Sequence, residues 1–152
     1  MINFTPQQVW ATISIANTLE NVQLSPEGKL INPLNLISIR MMATTAFPYL
    51  AINEEICQLL KFSIDRKTQI TMPDGNTFNC EKVSGVVLRF GNRSDMLGAY
   101  VLPGNSTPLL GAIPMQLLDV IIDPEQNKLI VHPERPDMAL TRLPGIRLPR
   151  YK

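Results

Sequence analysis

Apolar and polar residues alternate through several short runs of the chain, and the breaks between the runs fall at proline, glycine and Asx residues. Val9 to Ile15 is β-branched and alternates towards its end, which predicts a strand. Asn17 to Pro33 is polar, holds the turn signal Ser25-Pro26-Glu27-Gly28, and reads as a long loop or wide hairpin. Leu34 to Met42 alternates again and predicts a second strand. Thr44-Thr45-Ala46-Phe47-Pro48 ends it, because proline removes a donor and disfavours a helical residue before it. Ile52 to Leu60 predicts a helix: Asn53 is the N-cap, Glu54 and Glu55 complement the dipole, Ile52 and Cys57 have the spacing of a hydrophobic staple, and Ile56, Leu59 and Leu60 form the expected buried stripe.

The second half reads as hairpins. Thr68 to Met72 and Thr77 to Glu81 flank Pro73-Asp74-Gly75-Asn76, where glycine supplies the positive φ of a tight reversal. Gly85 to Phe90 and Leu97 to Leu102 flank Gly91-Asn92-Arg93-Ser94. Leu109-Leu110-Gly111 is a short apolar strand, and Pro114 to Leu118 opens a short helix with proline in its first turn. Val120 to Ile122 and Leu129 to Val131 close a last hairpin around Asp123-Pro124-Glu125-Gln126-Asn127. From Pro133 onwards prolines and arginines predict an extended arm. The expected fold is mostly β with one or two short helices.

Composition narrows the function classes. The chain has 152 residues, enough for a single domain with a sizeable core. Its net charge of +1 and 6% aromatic content argue against a nucleic-acid partner or an anionic membrane surface. No apolar run reaches the roughly 18 residues of a bilayer span. Met1 to Trp10 lack a basic start and an apolar run, so no secretory leader and a cytoplasmic location are expected. Cys57 and Cys80 are unpatterned and His132 stands alone, which predicts two core thiols, an edge histidine, no metal site and no cofactor. No glycine-rich phosphate loop is present.

Several stretches together resemble a retropepsin-like aspartic peptidase subunit of the small stand-alone bacterial group. They are Leu50-Ala51-Ile52-Asn53-Glu54-Glu55-Ile56, Val101-Leu102-Pro103-Gly104, and Pro108-Leu109-Leu110-Gly111-Ala112-Ile113-Pro114-Met115 running into Asp119-Val120-Ile121-Ile122-Asp123-Pro124. Leu129-Ile130-Val131 and Pro133 to Ala139 extend the likeness, which covers residues 9 to 140. The resemblance implies a closed β-barrel domain over residues 1–140, followed by an arm over 141–152. It also implies a flap with Pro73, Asp74, Gly75 and Asn76 at its tip, a core motif of Leu109, Leu110 and Gly111, and a homodimer. A peptide or protein ligand would lie in the groove under the flap.

In that family each subunit donates an Asp-Thr-Gly-Ala loop. Two carboxylates held close share a proton and act as base and acid on a water. Counting back from Ile52 sets that loop at Thr44, Thr45, Ala46 and Phe47. Only Thr45 matches. Thr44 stands at the aspartate position, and a hydroxyl does not take a proton from water near neutral pH as a carboxylate does. Ala46 and Phe47 replace the small residues, and no Lys or His is evident to activate Thr44. Asp74 reads as a turn residue, Asp119 and Asp123 as capping or turn residues. The expected function is a peptidase homologue that has lost catalysis and works as a binding or scaffolding dimer. The alternative is an active aspartic endopeptidase with a dimeric site.

Overall fold

The computed structural model describes residues 7–18, 26–27, 36–72 and 74–137. Pro73, most of the 17–33 loop and the 141–152 arm lie outside these residues. The elements in chain order are β1 (Gln8–Asn17), β2 (Ile37–Thr44), β3 (Leu50–Asn53), α1 (Glu54–Leu59), β4 (Ile64–Thr71) and β5 (Thr77–Phe90). They continue with β6 (Arg93–Leu102), β7 (Leu109–Leu110), α2 (Ala112–Leu118), β8 (Val120–Asp123) and β9 (Lys128–Val131). The fold is mostly β with two short helices, as the patterning predicts.

Period-two burial builds the first hairpin. Val9, Ala11, Ile13 and Ile15 of β1 point inward while Gln8, Trp10 and Thr12 are exposed. β1 pairs antiparallel with β2 from Gln8 opposite Thr44 to Ile15 opposite Ile37, and its second half also pairs with β5 from Ser14–Arg89 to Asn17–Val86. The pairing order is β1-β2-β7-β3-β6-β5, with β4 beyond β5, and the β1–β5 contact brings the order back to its first strand. The inner faces of these strands pack Ile13, Ile15, Met41, Ala43, Leu50, Ile52, Val83, Val86, Leu88 and Leu110 into one core. α1 closes over it through Ile56, Cys57 and Leu60. Asn17 Nδ2 donates to the carbonyls of Leu60 at 2.9 Å and Lys61 at 3.1 Å, meeting helix-end acceptors that have no intrahelical donor.

Three local expectations need correction. α1 starts at Glu54, since Ile52 and Asn53 belong to β3, a strand the patterning does not predict. Leu59 is 64% exposed and is not part of the buried stripe. With Ile56, Cys57 and Leu60 on the core side, position 59 falls about 100° round the helix from the centre of that face. Finally, Thr77–Glu81 and Gly85–Phe90 are parts of one strand. Gly85, at φ +75°, lies in a register shift between Val83 and Val86, a bulge that bends β5 without ending it.

Candidate functional site

β7 sets the shape of the site loop. It lies between β2 and β3, parallel to the first through Met42–Leu109 and Ala43–Leu110, and antiparallel to the second through Leu50–Leu110 and Ala51–Leu109. The chain from Thr44 to Tyr49 therefore has to arch over the end of β7. There it meets the start of α2. The carbonyls of Phe47, Pro48 and Tyr49 accept from the amides of Ala112, Ile113 and Gly111, each at 2.9 Å. Those amides are donors that a helix start leaves unsatisfied. The loop backbone thus caps α2, and Gly111, its N-cap residue, contributes no side-chain cap.

Within the loop, Thr44 is buried at 3% exposure, and its Oγ1 accepts from the Ala46 amide at 3.1 Å in a local side-chain turn. Thr45 is exposed. Its amide donates to the Gln7 carbonyl at 3.0 Å, and its Oγ1 accepts from the Gln7 amide at 3.0 Å. Phe47 is 1% exposed and packs its ring edge-on to Tyr49, with centroids 5.8 Å apart. It belongs to a second apolar cluster with Ala51, Ile70, Cys80 and Leu102, flanked by Met72, Tyr100 and Leu109. The bulky ring thus joins the site loop to the tip half of the β4–β5 hairpin.

That hairpin is where the sequence sets the flap. Its tip closes by Met72 N–H to the Asn76 carbonyl at 2.8 Å and Gly75 N–H to the Met72 carbonyl at 2.9 Å, with Gly75 at φ +88°. The Asp74 carboxylate accepts from the Asn76 amide at 2.9 Å and from Asn76 Nδ2 at 2.8 Å, so it serves the turn. Between the hairpin and the body lies a groove of about 310 Å³, lined by Met72, Phe78, Leu102, Pro103, Thr107 and Leu109. The sequence reading names none of these as groove residues. The alternation of Phe78 with Cys80 on one face of β5 is the signal that points to them.

Three further acidic residues that the sequence singles out, Glu54, Asp119 and Asp123, are engaged elsewhere. Glu54 Oε1 accepts from the Gly104 amide at 2.6 Å. Asp123 Oδ1 accepts from the amides of Glu125 at 2.9 Å and Gln126 at 3.3 Å, a turn role. Asp119, the left-handed residue that ends α2, is 1% exposed and takes a two-pronged contact from Arg135, Nε at 2.6 Å and a terminal nitrogen at 2.9 Å. Buried Arg93 lies 3.9 Å from the same carboxylate and donates to the Arg135 carbonyl. None of these bonds reaches the Thr44–Phe47 loop.

The other chemistry-bearing side chains are also away from the loop. Cys57 and Cys80 are buried free thiols, and His132 Nδ1 accepts from the Glu134 amide at 3.2 Å. Among the described residues no group of three His, Cys, Asp or Glu side chains could hold a metal ion. No helix among them is long and apolar enough to cross a membrane.

The described residues define a mostly β protein with a threonine loop over the start of α2 and an apolar groove beside a hairpin. No protein-family model matches the chain, and no curated protein matches it. Among solved structures it is similar to the crystal structure of a retropepsin-like aspartic protease from Rickettsia conorii. The identity is 15%, 82% of this chain and 90% of that chain are covered, and the TM-score is 0.43.

Proposed function

We propose that residues 1–140 form a retropepsin-like domain that has lost aspartic-peptidase chemistry and acts as a cytoplasmic, homodimeric peptide-binding protein, with residues 141–152 as an appended arm. The observation that carries this reading is the hydroxyl at position 44. Thr44 occupies the position of the catalytic aspartate in the sequence resemblance, and its oxygen is held by the Ala46 amide at 3.1 Å. A threonine cannot serve as general base near neutral pH. Phe47 adds to this, because it buries a large ring among Ile70, Cys80 and Leu102 at a position where the family motif has a small residue.

The groove itself supports retained binding. It is apolar, it is open, and a hairpin covers it. In the proposed dimer the Thr44–Thr45 loops of two copies meet at a two-fold axis. The test is a mixed peptide pool incubated with the protein from mildly acidic to neutral pH, with cleavage followed by mass spectrometry and association by sedimentation. Intact peptides and a dimer are expected. Cleavage that a transition-state analogue of aspartic peptidases blocks, and that Thr44→Ala abolishes, would overturn the reading in favour of an active endopeptidase.

A further inference from the structure

One row of side chains runs across the sheet below the groove. Arg66 of β4 is paired with Lys82 of β5, Lys82 with Tyr100 of β6, and Tyr100 with Ala51 of β3. Directly paired residues share a face. Two residues along the same face Thr68 pairs with Cys80, and two further on Ile70 pairs with Phe78, so the row continues the surface that holds the apolar groove. Lys82 Nζ lies 5.3 Å from the centre of the Tyr100 ring, and the Tyr49 ring packs against that of Tyr100 at 5.1 Å. Gly98 makes room for this arrangement, because a Cβ there would stand 3.1 Å from Lys82 Cε.

Arg66 and Lys82 are like charges at directly opposed positions, which destabilises a sheet. Neither has an ion-pair partner among the described residues. Burial pushes the Tyr100 phenol up, Tyr49 adds to the shift, and Arg66 is close enough to pull against it, so Tyr100 remains a neutral donor beside the two cations. The arrangement has uncompensated positive charge, a hydroxyl donor and aromatic walls on the sheet face that carries the apolar groove, four residues along β5 from Phe78.

We infer that Arg66 and Lys82 form a carboxylate subsite that receives an acidic side chain of a peptide lying in the groove beneath the β4–β5 hairpin. This inference rests on the peptide-binding reading above. A carboxylate between the two cations removes their mutual repulsion and accepts charge-assisted hydrogen bonds.

The test is selection of a random peptide library displayed on phage, followed by anisotropy titration of the best binder. Enriched sequences should carry Asp or Glu at a fixed offset from apolar residues. The double variant Arg66→Gln/Lys82→Gln should bind that peptide about tenfold more weakly or worse, as the removal of one charge-assisted hydrogen bond requires. It should melt no lower than the parent. Arg147→Gln/Arg150→Gln, in the basic tail, should leave binding unchanged. Binders without an acidic preference, or full affinity in the Arg66/Lys82 variant alongside loss in Phe78→Ser, would remove the subsite and leave the groove standing. Loss that follows only the tail variant would also overturn it. Failure to enrich any peptide would overturn the binding reading and the subsite with it.

Discussion

The Gly111 amide donates to the Tyr49 carbonyl at 2.9 Å, and the two residues are so close that a Cβ on residue 111 would stand 2.7 Å from the Tyr49 nitrogen. It would also collide with the carbonyl oxygens of Tyr49 and Phe47. All three obstacles are backbone, so none can swing away. Gly111→Ala should therefore destabilise the protein by about 3 kcal/mol, towards the upper end of overpacking effects. Urea unfolding measures this, and a loss below about 1 kcal/mol would mean that the loop yields easily.

Asn53 should be the most sensitive polar side chain at the start of α1. Its Oδ1 accepts from the Ile56 amide at 2.8 Å, and its Nδ2 donates to the Ser106 carbonyl at 2.9 Å. Asn53→Ala removes the cap and the Ser106 hydrogen bond together and should cost about 2 kcal/mol. Asn53→Ser restores a cap acceptor without the long donor and should fall between the two. Equal urea midpoints for the Ala and Ser variants would show that the cap contributes nothing.

Replacing the site hydroxyl by a carboxylate should produce a pH-dependent defect and no peptidase activity. Position 44 is almost fully buried, so burial raises the pKa of the carboxyl in Thr44→Asp above its unfolded value. The folded state then binds more protons than the unfolded state over that interval, and stability falls as pH rises. The variant should approach the parent in acid and lose ground towards neutral pH, and in the proposed dimer its association should weaken in the same direction. Urea midpoints and sedimentation across that range test both. A deficit constant with pH would indicate a solvated carboxylate.

Both thiols should be slow to react at neutral pH. Burial pushes Cys57 up, with Glu81 and Glu54 adding to it, and burial with Glu81 does the same to Cys80. The thiolate is the nucleophile, so alkylation should accelerate only above the ordinary thiol range. Glu81→Gln should speed iodoacetamide labelling of both cysteines, read by mass spectrometry. Acceleration at one cysteine alone would contradict the shared influence of Glu81.

The parts of the fold legible in the sequence are those whose cause is local. Asp74-Gly75 marks a reversal because the turn needs a positive φ, and Asn53 marks a helix start because its side chain bonds three residues ahead. β3 escapes because Leu50, Ala51, Ile52 and Asn53 are all buried, which leaves no alternation to detect. β5 reads as two strands because Gly85 in a bulge has the same local signature as Gly in a turn. The Thr44–Phe47 loop carries no local pattern that marks it as a site, and only the resemblance downstream of it points there. The groove lining, the row from Arg66 to Tyr100 and the Arg135–Asp119 pair depend on register and on contacts between distant segments, which no local pattern encodes.

β5 has a mechanical consequence as well as a topological one. The strand runs unbroken from Thr77 beside the hairpin tip to Phe90. Up to Val83 it is held by β4, and beyond Val86 β1 takes the place of β4. The tip half of the hairpin also rests on the body, since Ile70, Met72 and Cys80 share an apolar cluster with Phe47 and Leu102, and β6 pairs with β5 from Glu81 onwards. A load on the tip at Gly75 is therefore shared among the Phe47 cluster, β6 and β1. At the other end of β1, Gln7 holds the backbone and hydroxyl of Thr45. Force applied to the hairpin therefore reaches the threonine loop by two routes, directly at Phe47 and through β1 to Gln7 and Thr45.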